Sequence, residues 1–341
     1  KLINKLEALF HESKYNFKKE IAYPIIDDLF KNHIKNKKIF KKKLKNNYEI
    51  FYNLNSRITK DFFLSKSKFP DHVTEPQTTK LLSRILKKNL DKHIILGGAF
   101  IGDMAIPLAY YLKNITSKKI HCFECDQESR KMLGINIQAN KIQCIKNNYH
   151  ALNNVNNNLY INTLGSSLTS LSKKKGKYNK KIKSVTIDSY CRNNNIKSVS
   201  VIHIDIEGNE LNALKGAQKL ISAKKSQAPD IIFEYCNYNN FAQKKLGKLS
   251  LTNSKIILYL KKYNYYCYAI RDFSSNIGKS LKNIEIIPID KIYHKQLPYC
   301  FNIYCTKDKN NISLYKLKLC NNVNPKLLSF EDKKFHWPIH K

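Results

Sequence analysis

The stretch IILGGAFIGDMAIPLAYYLKNITSKKIHCFECD, Ile94 to Asp126, decides how the rest of the chain is read. Ile94-Ile95-Leu96 is a short apolar run of the kind that forms a strand buried on both faces. Gly97-Gly98-Ala99 and Gly102 follow, then a helical pattern from Asp103 to about Leu112. A second apolar run, Ile120 to Phe123, ends on Glu124. The sequence therefore predicts a strand, a glycine turn, a helix and a second strand with an acid at its tip.

Each part of that unit has a physical use. Glycines at the first strand-to-helix turn tolerate positive φ and let backbone approach a ligand closely. The start of the following helix offers free N–H groups. An acid roughly 20 residues further on can accept both hydrogen bonds of a ribose diol. Gly97, Gly98, Ala99, Gly102, Asp103, Glu124 and Asp126 are thus the expected cofactor-binding residues. The glycine spacing is not G-x-G-x-x-G, which disfavours a pyrophosphate. A ligand with a ribose and no phosphate, such as S-adenosylmethionine, fits better. The plainer alternative is a βαβ unit whose glycines only permit tight packing.

Working outward, residues 1–90 read as a basic helical extension or cap, with Leu2, Leu6, Leu9 and Phe10 at helical spacing. Its loop around Thr74, Glu75 and Gln77 either covers the pocket or is a simple connector. Downstream, Gln127 to Asn140 is a helix pattern and Lys141 to Lys146 a third strand, followed by NNYHAL at Asn147 to Leu152. Asn153 to Lys183 is an Asn- and Lys-rich excursion with no clear period, read as a small hairpin over the site. Val199 to Asp205 is another buried strand, Leu211 to Ile221 a helix, and Asp230 to Glu234 a strand ending on an acid. Strands Tyr265–Arg271 and Tyr299–Thr306 close the pattern, and 307–341 is a tail. Strands alternating with helices predict a doubly wound, mostly parallel α/β sheet of seven strands over residues 91–306. Ligands in such sheets sit at the carboxyl ends of the strands. Glu124, His150, Asp205, Glu207 and Glu234 all fall there.

Composition sets limits. The chain has 341 residues, 42% hydrophobic, enough for a well-buried core. It lacks a run of 18 apolar residues, so no membrane span is expected. It opens on Lys1 without a visible signal peptide and is read as trimmed from something longer. Net charge is +35, but the excess is lysine spread throughout, with few arginines to fork onto phosphate. A diffuse basic surface is the favoured interpretation, and a nucleic-acid partner the second. Nine scattered cysteines, without framework spacing, point to a reducing compartment and a cytoplasmic location. Cys122 and Cys125 form one C-x-x-C with no second pair, so no zinc site is expected.

Three segments resemble the FkbM family of S-adenosylmethionine-dependent methyltransferases. GGAFIGD (Gly97–Asp103) is similar to the family's G-A-N-x-G cofactor loop, and HCFECD (His121–Asp126) to its F-E-P segment. The most specific, HIDIEGNELNALKGA (His203–Ala217), is similar to D-x-E-G-x-E-x-x-x-L-x-G-A. GSSL (Gly165–Leu168) and TIDSY (Thr186–Tyr190) lie between them in the family's order. The resemblance spans roughly residues 75–305 and implies a class I, Rossmann-like methyltransferase fold with S-adenosylmethionine as cofactor. It departs at Leu96, where the family has an acid, at Phe100 in place of Asn, and at Cys125 in place of Pro. Asp103 is the nearest replacement for the missing acid.

The resemblance implies O-methylation of a hydroxyl on a sugar, glycan or natural product. A hydroxyl acceptor needs its proton removed, so a base within hydrogen-bond reach is expected. His150, Asp205 and Glu234 are the candidate catalytic residues. No metal is expected, the alternative being that Asp205, Glu207 and Glu234 hold a divalent cation. For Glu207 and Glu210 the competing role is charge stabilisation of a helix start, and for His203 a satisfied place in the core. Two other functions compete: an RNA methyltransferase using the basic N-terminal surface, and an inactive nucleoside-binding module.

Overall fold

The computed structural model describes residues 23–32, 39–44, 47–64, 75–115, 117, 119–163, 169–172, 180–236, 254–270, 283–291 and 300–320. The helix expected near Leu2–Phe10, Thr74, the GSSL segment and the chain beyond residue 320 lie outside them.

The N-terminal extension is helical at α1 (Tyr23–Asn32), α2 (Arg57–Leu64) and α3 (Pro76–Lys88), and also carries the antiparallel hairpin β1 (Phe40–Lys43) and β2 (Glu49–Tyr52). Leu81, Leu82, Ile85 and Leu86 form a fully buried stripe on α3, the spacing that one helix face needs. The core then runs β3 (His93–Gly97), α4 (Ala105–Ala109), β4 (Ile120–Phe123), α5 (Gln127–Ala139), β5 (Ile145–Asn148) and β6 (Ala151–Leu152). The excursion forms β7 (Asn158–Thr163), β8 (Thr169–Ser172) and β9 (Lys180–Val185). Next come α6 (Ile187–Asn193), β10 (Val199–Ile204), α7 (Glu210–Lys215), α8 (Gln218–Ser222) and β11 (Asp230–Cys236). The described chain ends with α9 (Lys255–Lys262), β12 (Tyr266–Ile270), β13 (Ile284–Pro288), β14 (Cys300–Thr306), α10 (Asn310–Leu314) and β15 (Leu317–Leu319).

The main sheet has the order β15-β13-β12-β14-β11-β10-β3-β4-β5. Strands β5, β4, β3, β10 and β11 are mutually parallel, and β14 is antiparallel between β11 and β12. The seven strands from β5 to β12 are the expected class I arrangement. β13 and β15 extend it to nine, and β15 comes from the segment read as a tail. Strands β4 and β10 are buried at every position, as helices on both faces require. One face packs α3, α4 and α5 against Leu96, Val201 and Ile232. The other packs α6 to α9 against Ile95, Ile202, Ile231 and Phe233.

The chain winds outward from β3 through β4 to β5, then returns to place β10 on the other side of β3. The switch point lies between β3 and β10, where Asp205 N–H donates to the Gly97 carbonyl (3.0 Å). The excursion is a four-stranded sheet, order β6-β9-β7-β8, larger than the hairpin expected. The helix expected over Leu211–Ile221 is split into α7 and α8. A side chain at Gly216 would meet the Asn153 carbonyl at 2.1 Å, so this glycine lets β6 approach, and the helix breaks there.

Two asparagines fasten the extension to the core. The Asn136 and Asn140 side-chain oxygens accept from Phe51 N (2.6 Å) and Glu49 N (2.7 Å). Their amide nitrogens donate back to Phe51 O and Glu49 O, and Asn136 also reaches Ile101 O (2.8 Å). Helix α5 thus satisfies one edge of β2 as a neighbouring strand would. Asn136→Ala leaves these buried groups unmet and is expected to lower unfolding free energy by about 2 kcal/mol, checked by denaturant titration.

Candidate active site

A cavity opens at the carboxyl ends of β3, β4 and β10, where ligands of doubly wound sheets sit. Gly98 forms its floor. It has φ +76°, and a Cβ there would stand 1.6 Å from the Asp205 carbonyl oxygen. Only glycine fits, because the β3 turn and the end of β10 touch through backbone. Gly98→Ala should therefore displace the Asp205 strand end, lower unfolding free energy by about 2–3 kcal/mol and abolish cofactor binding, read by thermal melting and calorimetric titration.

Glu124, at the tip of β4, closes one side. It is 8% exposed, and its carboxylate accepts Phe100 N–H at Oε2 and Asp126 N–H at Oε1, both at 2.7 Å. Burial raises its pKa to about 7, against the two amide bonds that lower it. A carboxylate offers about four lone-pair sites, so acceptor capacity remains for a diol. Phe100 has φ +45°, a strained conformation for an aromatic residue, and its bond to Glu124 holds it there.

The other expected cofactor residues divide. Asp126 lines the cavity and also caps α5, accepting from Ser129 N–H (2.8 Å). Gly97, Ala99 and Gly102 do not line it. Gly97 and Gly102 are packing glycines, where a Cβ would meet Leu152 at 2.7 Å and Leu133 at 2.6 Å. The amides of Gly98 and Ala99 both donate to Phe123 O (2.9 and 3.1 Å). The glycine turn is thus tied to β4. Leu96 is 2% exposed in the core. Asp103 is buried, lies outside the cavity lining, and acts electrostatically on Asp205.

Asp205, at the end of β10, lines the cavity. In register it stands beside Glu234 on β11, since Ile204 pairs with Phe233, and the two carboxyl groups are hydrogen-bonded to each other. Burial, then Glu207, raise the Asp205 pKa, while burial, then Asp205, raise that of Glu234. Two adjacent half-buried carboxyls cannot both ionise cheaply, so the pair holds a proton above the usual carboxylate range. Glu75, at the start of α3, brings a third carboxylate, with oxygens of all three residues within 4.8 Å of one another. The loop near the pocket therefore reaches the site through Glu75. Glu207 lines the cavity but stands outside this trio.

His150 also lines the cavity. Its buried Nδ1 meets no hydrogen-bond partner among the described residues, and burial lowers its pKa. At neutral pH the uncharged imidazole is favoured, with Nδ1 unmet among the described residues. His203 is 3% exposed, and its Nε2 has no partner among the described residues, which corrects the expected satisfied core histidine. Glu210 does more than charge a helix start: its Oε1 accepts from Ile206 N–H (3.2 Å) and Gly208 N–H (2.9 Å). Asn209 donates to Leu152 O (2.8 Å). Together they set the turn after β10, where Glu207 and Gly208 both have positive φ. Sequence reasoning missed the apolar walls, Ile58, Phe123, Leu152 and Ile206. Ile58 belongs to α2 of the extension, and no local pattern marked it.

Residues 98–267 match the model of the methyltransferase FkbM domain. They are an FkbM methyltransferase domain. Its cofactor is S-adenosylmethionine, and the cavity brings together Gly98, the acid Glu124 and apolar walls. The solved structures that the fold resembles include a methyltransferase FkbM from Methylobacillus flagellatus KT, at 16% identity and TM-score 0.36, covering 63% of this chain and 43% of that one. This chain thus spans less than half of that protein. An O-methyltransferase from Bacillus cereus in complex with SAH matches at 13% identity and TM-score 0.34, covering 71% and 86%. An rRNA methylase from Streptococcus thermophilus matches at 10% and 0.32, covering 71% and 95%. No curated protein matches the sequence. Among the described residues, no helix is long and apolar enough to cross a membrane.

Proposed function

We propose that this chain methylates a hydroxyl of a sugar, glycan or natural product, with S-adenosylmethionine as donor. The observation that carries the reading is the half-buried Asp205–Glu234 carboxyl pair at a cavity that Glu124 also lines. Bound in that cavity, S-adenosylmethionine supplies an electrophilic methyl group on a sulfonium sulfur. Glu124 holds the ribose, and Gly98 lets the ligand lie against backbone. Phe123, Leu152 and Ile206 exclude water, which strengthens the charges that remain. Asp205, its basicity raised by burial and by acidic neighbours, accepts the proton of the acceptor hydroxyl. Glu234 shares that proton through the bond between them. His150 stands where it can orient the acceptor.

The test is transfer of labelled methyl to a panel of hydroxylated glycans and aglycones, with structured RNA as a separate arm, alongside calorimetric titration of S-adenosylmethionine. Label on a hydroxylated acceptor supports the proposal. Label only on RNA, with salt-sensitive binding, would replace it with the nucleic-acid reading. No cofactor binding would leave an inactive module. His150→Ala is expected to lower kcat/KM about tenfold, the loss of one neutral hydrogen bond, with cofactor affinity retained. A loss as large as that of an Asp205 variant would make His150 the base.

A further inference from the structure

Asp205, Glu234 and Asn302 form a row across the sheet. Asp205 stands beside Glu234, which pairs directly with Asn302 on β14. All three lie on the face that packs Val201, Ile232 and Tyr304, because residues two apart on a strand share a face. Glu75 comes down onto this row from the start of α3. Its Oε2 accepts from Asn302 Nδ2, which also bonds Thr78 Oγ1 (3.1 Å). These bonds hold the nitrogen of the Asn302 amide against Glu75 and Thr78. Asn302 is 1% exposed, yet its carbonyl oxygen Oδ1 has no hydrogen-bond partner among the described residues. A buried amide oxygen left unmet costs free energy unless something else meets it. Nε2 of His203, two residues before Asp205 on the same face, is likewise unmet.

The charges point the same way. The chain carries 61 Lys and Arg against 26 Asp and Glu, yet the charged groups that act most strongly on Asp205 are Glu207, Glu210 and Asp103, all acids. A protein so rich in lysine has gathered carboxylates here.

We propose that Glu75, Asp205 and Glu234, with the Oδ1 of Asn302, bind a divalent cation of the hard, oxygen-seeking class, Mg²⁺ or Mn²⁺. Carboxylate and amide oxygens are the donors that such ions select. Ligands on opposite sides of an ion, each about 2.1–2.4 Å from it, lie about 4.2–4.8 Å apart, and the three carboxylates fall within 4.8 Å of one another. The site adjoins the cavity through Asp205. A cation there neutralises the acidic cluster and, on the hydroxyl-methylation reading, lowers the pKa of an acceptor oxygen beside it. The binding itself does not depend on that reading.

The experiment is titration of the full chain with Mn²⁺, followed by electron paramagnetic resonance and calorimetry, with Mg²⁺ as competitor. One saturable site, displaced by Mg²⁺, is expected. Glu75→Gln and Asn302→Ala should each weaken it by about tenfold or more. Both should leave S-adenosylmethionine affinity unchanged, since neither residue lines the cavity, and that titration also reports that the variants fold. Absence of saturable Mn²⁺ binding at 1 mM (about the weakest physiological regime for such sites), or binding indifferent to Glu75→Gln, overturns the proposal. A chain that methylates a hydroxyl without binding Mn²⁺ loses the cation site and keeps the function. A chain that binds Mn²⁺ but transfers no methyl loses the function and keeps the site.

Discussion

Glu124→Ala raises the dissociation constant for S-adenosylmethionine by about two to three orders of magnitude. A hydrogen bond to a charged group contributes roughly 1.5–3 kcal/mol. A carboxylate that accepts both ribose hydroxyls, each bond near the low end of that range, supplies about 3–4 kcal/mol, at about 1.4 kcal/mol per decade. The substitution also frees Phe100 N–H and Asp126 N–H, which the carboxylate now holds at 2.7 Å, so the glycine turn loses its tether. Glu124→Gln separates the two effects: it keeps one side-chain oxygen as acceptor and removes the charge, and should lose affinity by about tenfold. Isothermal titration of the wild type and both variants decides it, and unchanged affinity in the alanine variant would falsify this placement of the cofactor.

The same residue sets a pH dependence. Burial raises its folded-state pKa to about 7, above the ordinary glutamate value. The ribose hydroxyls donate, so they prefer the carboxylate to the protonated acid. Affinity should hold above about pH 7 and fall below it by up to about tenfold per unit. Glu124→Gln should flatten that limb.

The fold was legible where chemistry is local. Ile120 to Phe123 and Val199 to Ile204 are apolar without alternation, and both proved buried along their whole length. That pattern fixes parallel strands covered on both faces, and with them the switch point. Glu124 was legible because its place follows from counting along one βαβ unit. Glu75 and Asn302 were not, because their meeting depends on registry between β11 and β14 and on where α3 begins. Edge strand β15, three residues long with one buried position, carries too little pattern to be seen. The glycine turn misled in one respect. GGA reads as backbone that approaches a ligand, but the amides of Gly98 and Ala99 donate to Phe123, and the closest approach at Gly98 is to the Asp205 carbonyl. Sequence shows that backbone can come close, and not which carbonyl it comes close to.

Asp205→Asn should lower kcat by about three orders of magnitude while leaving cofactor affinity within a few-fold. General-base catalysis contributes about 10²–10⁴, and asparagine keeps the shape of the side chain without its basicity. The backbone of Asp205 stays fixed by its bond to Gly97, so loss of transfer with retained binding points to proton removal. Glu234→Gln tests the partner. Burial first, then neighbouring acids, raise the pKa of Asp205, so its basic form appears only above the ordinary aspartate range and kcat/KM climbs with pH toward neutrality. Glutamine removes a like charge and still donates to Asp205, which favours the carboxylate. The acidic limb should then move to lower pH. The raised folded-state pKa values also favour the fold at low pH, a contribution lost as pH rises from the ordinary carboxylate range toward neutral. Glu234→Gln should therefore lose less stability across that interval than the wild type. A limb that moves to higher pH, or stays in place, separates Glu234 from proton transfer and leaves Asp205 to act alone.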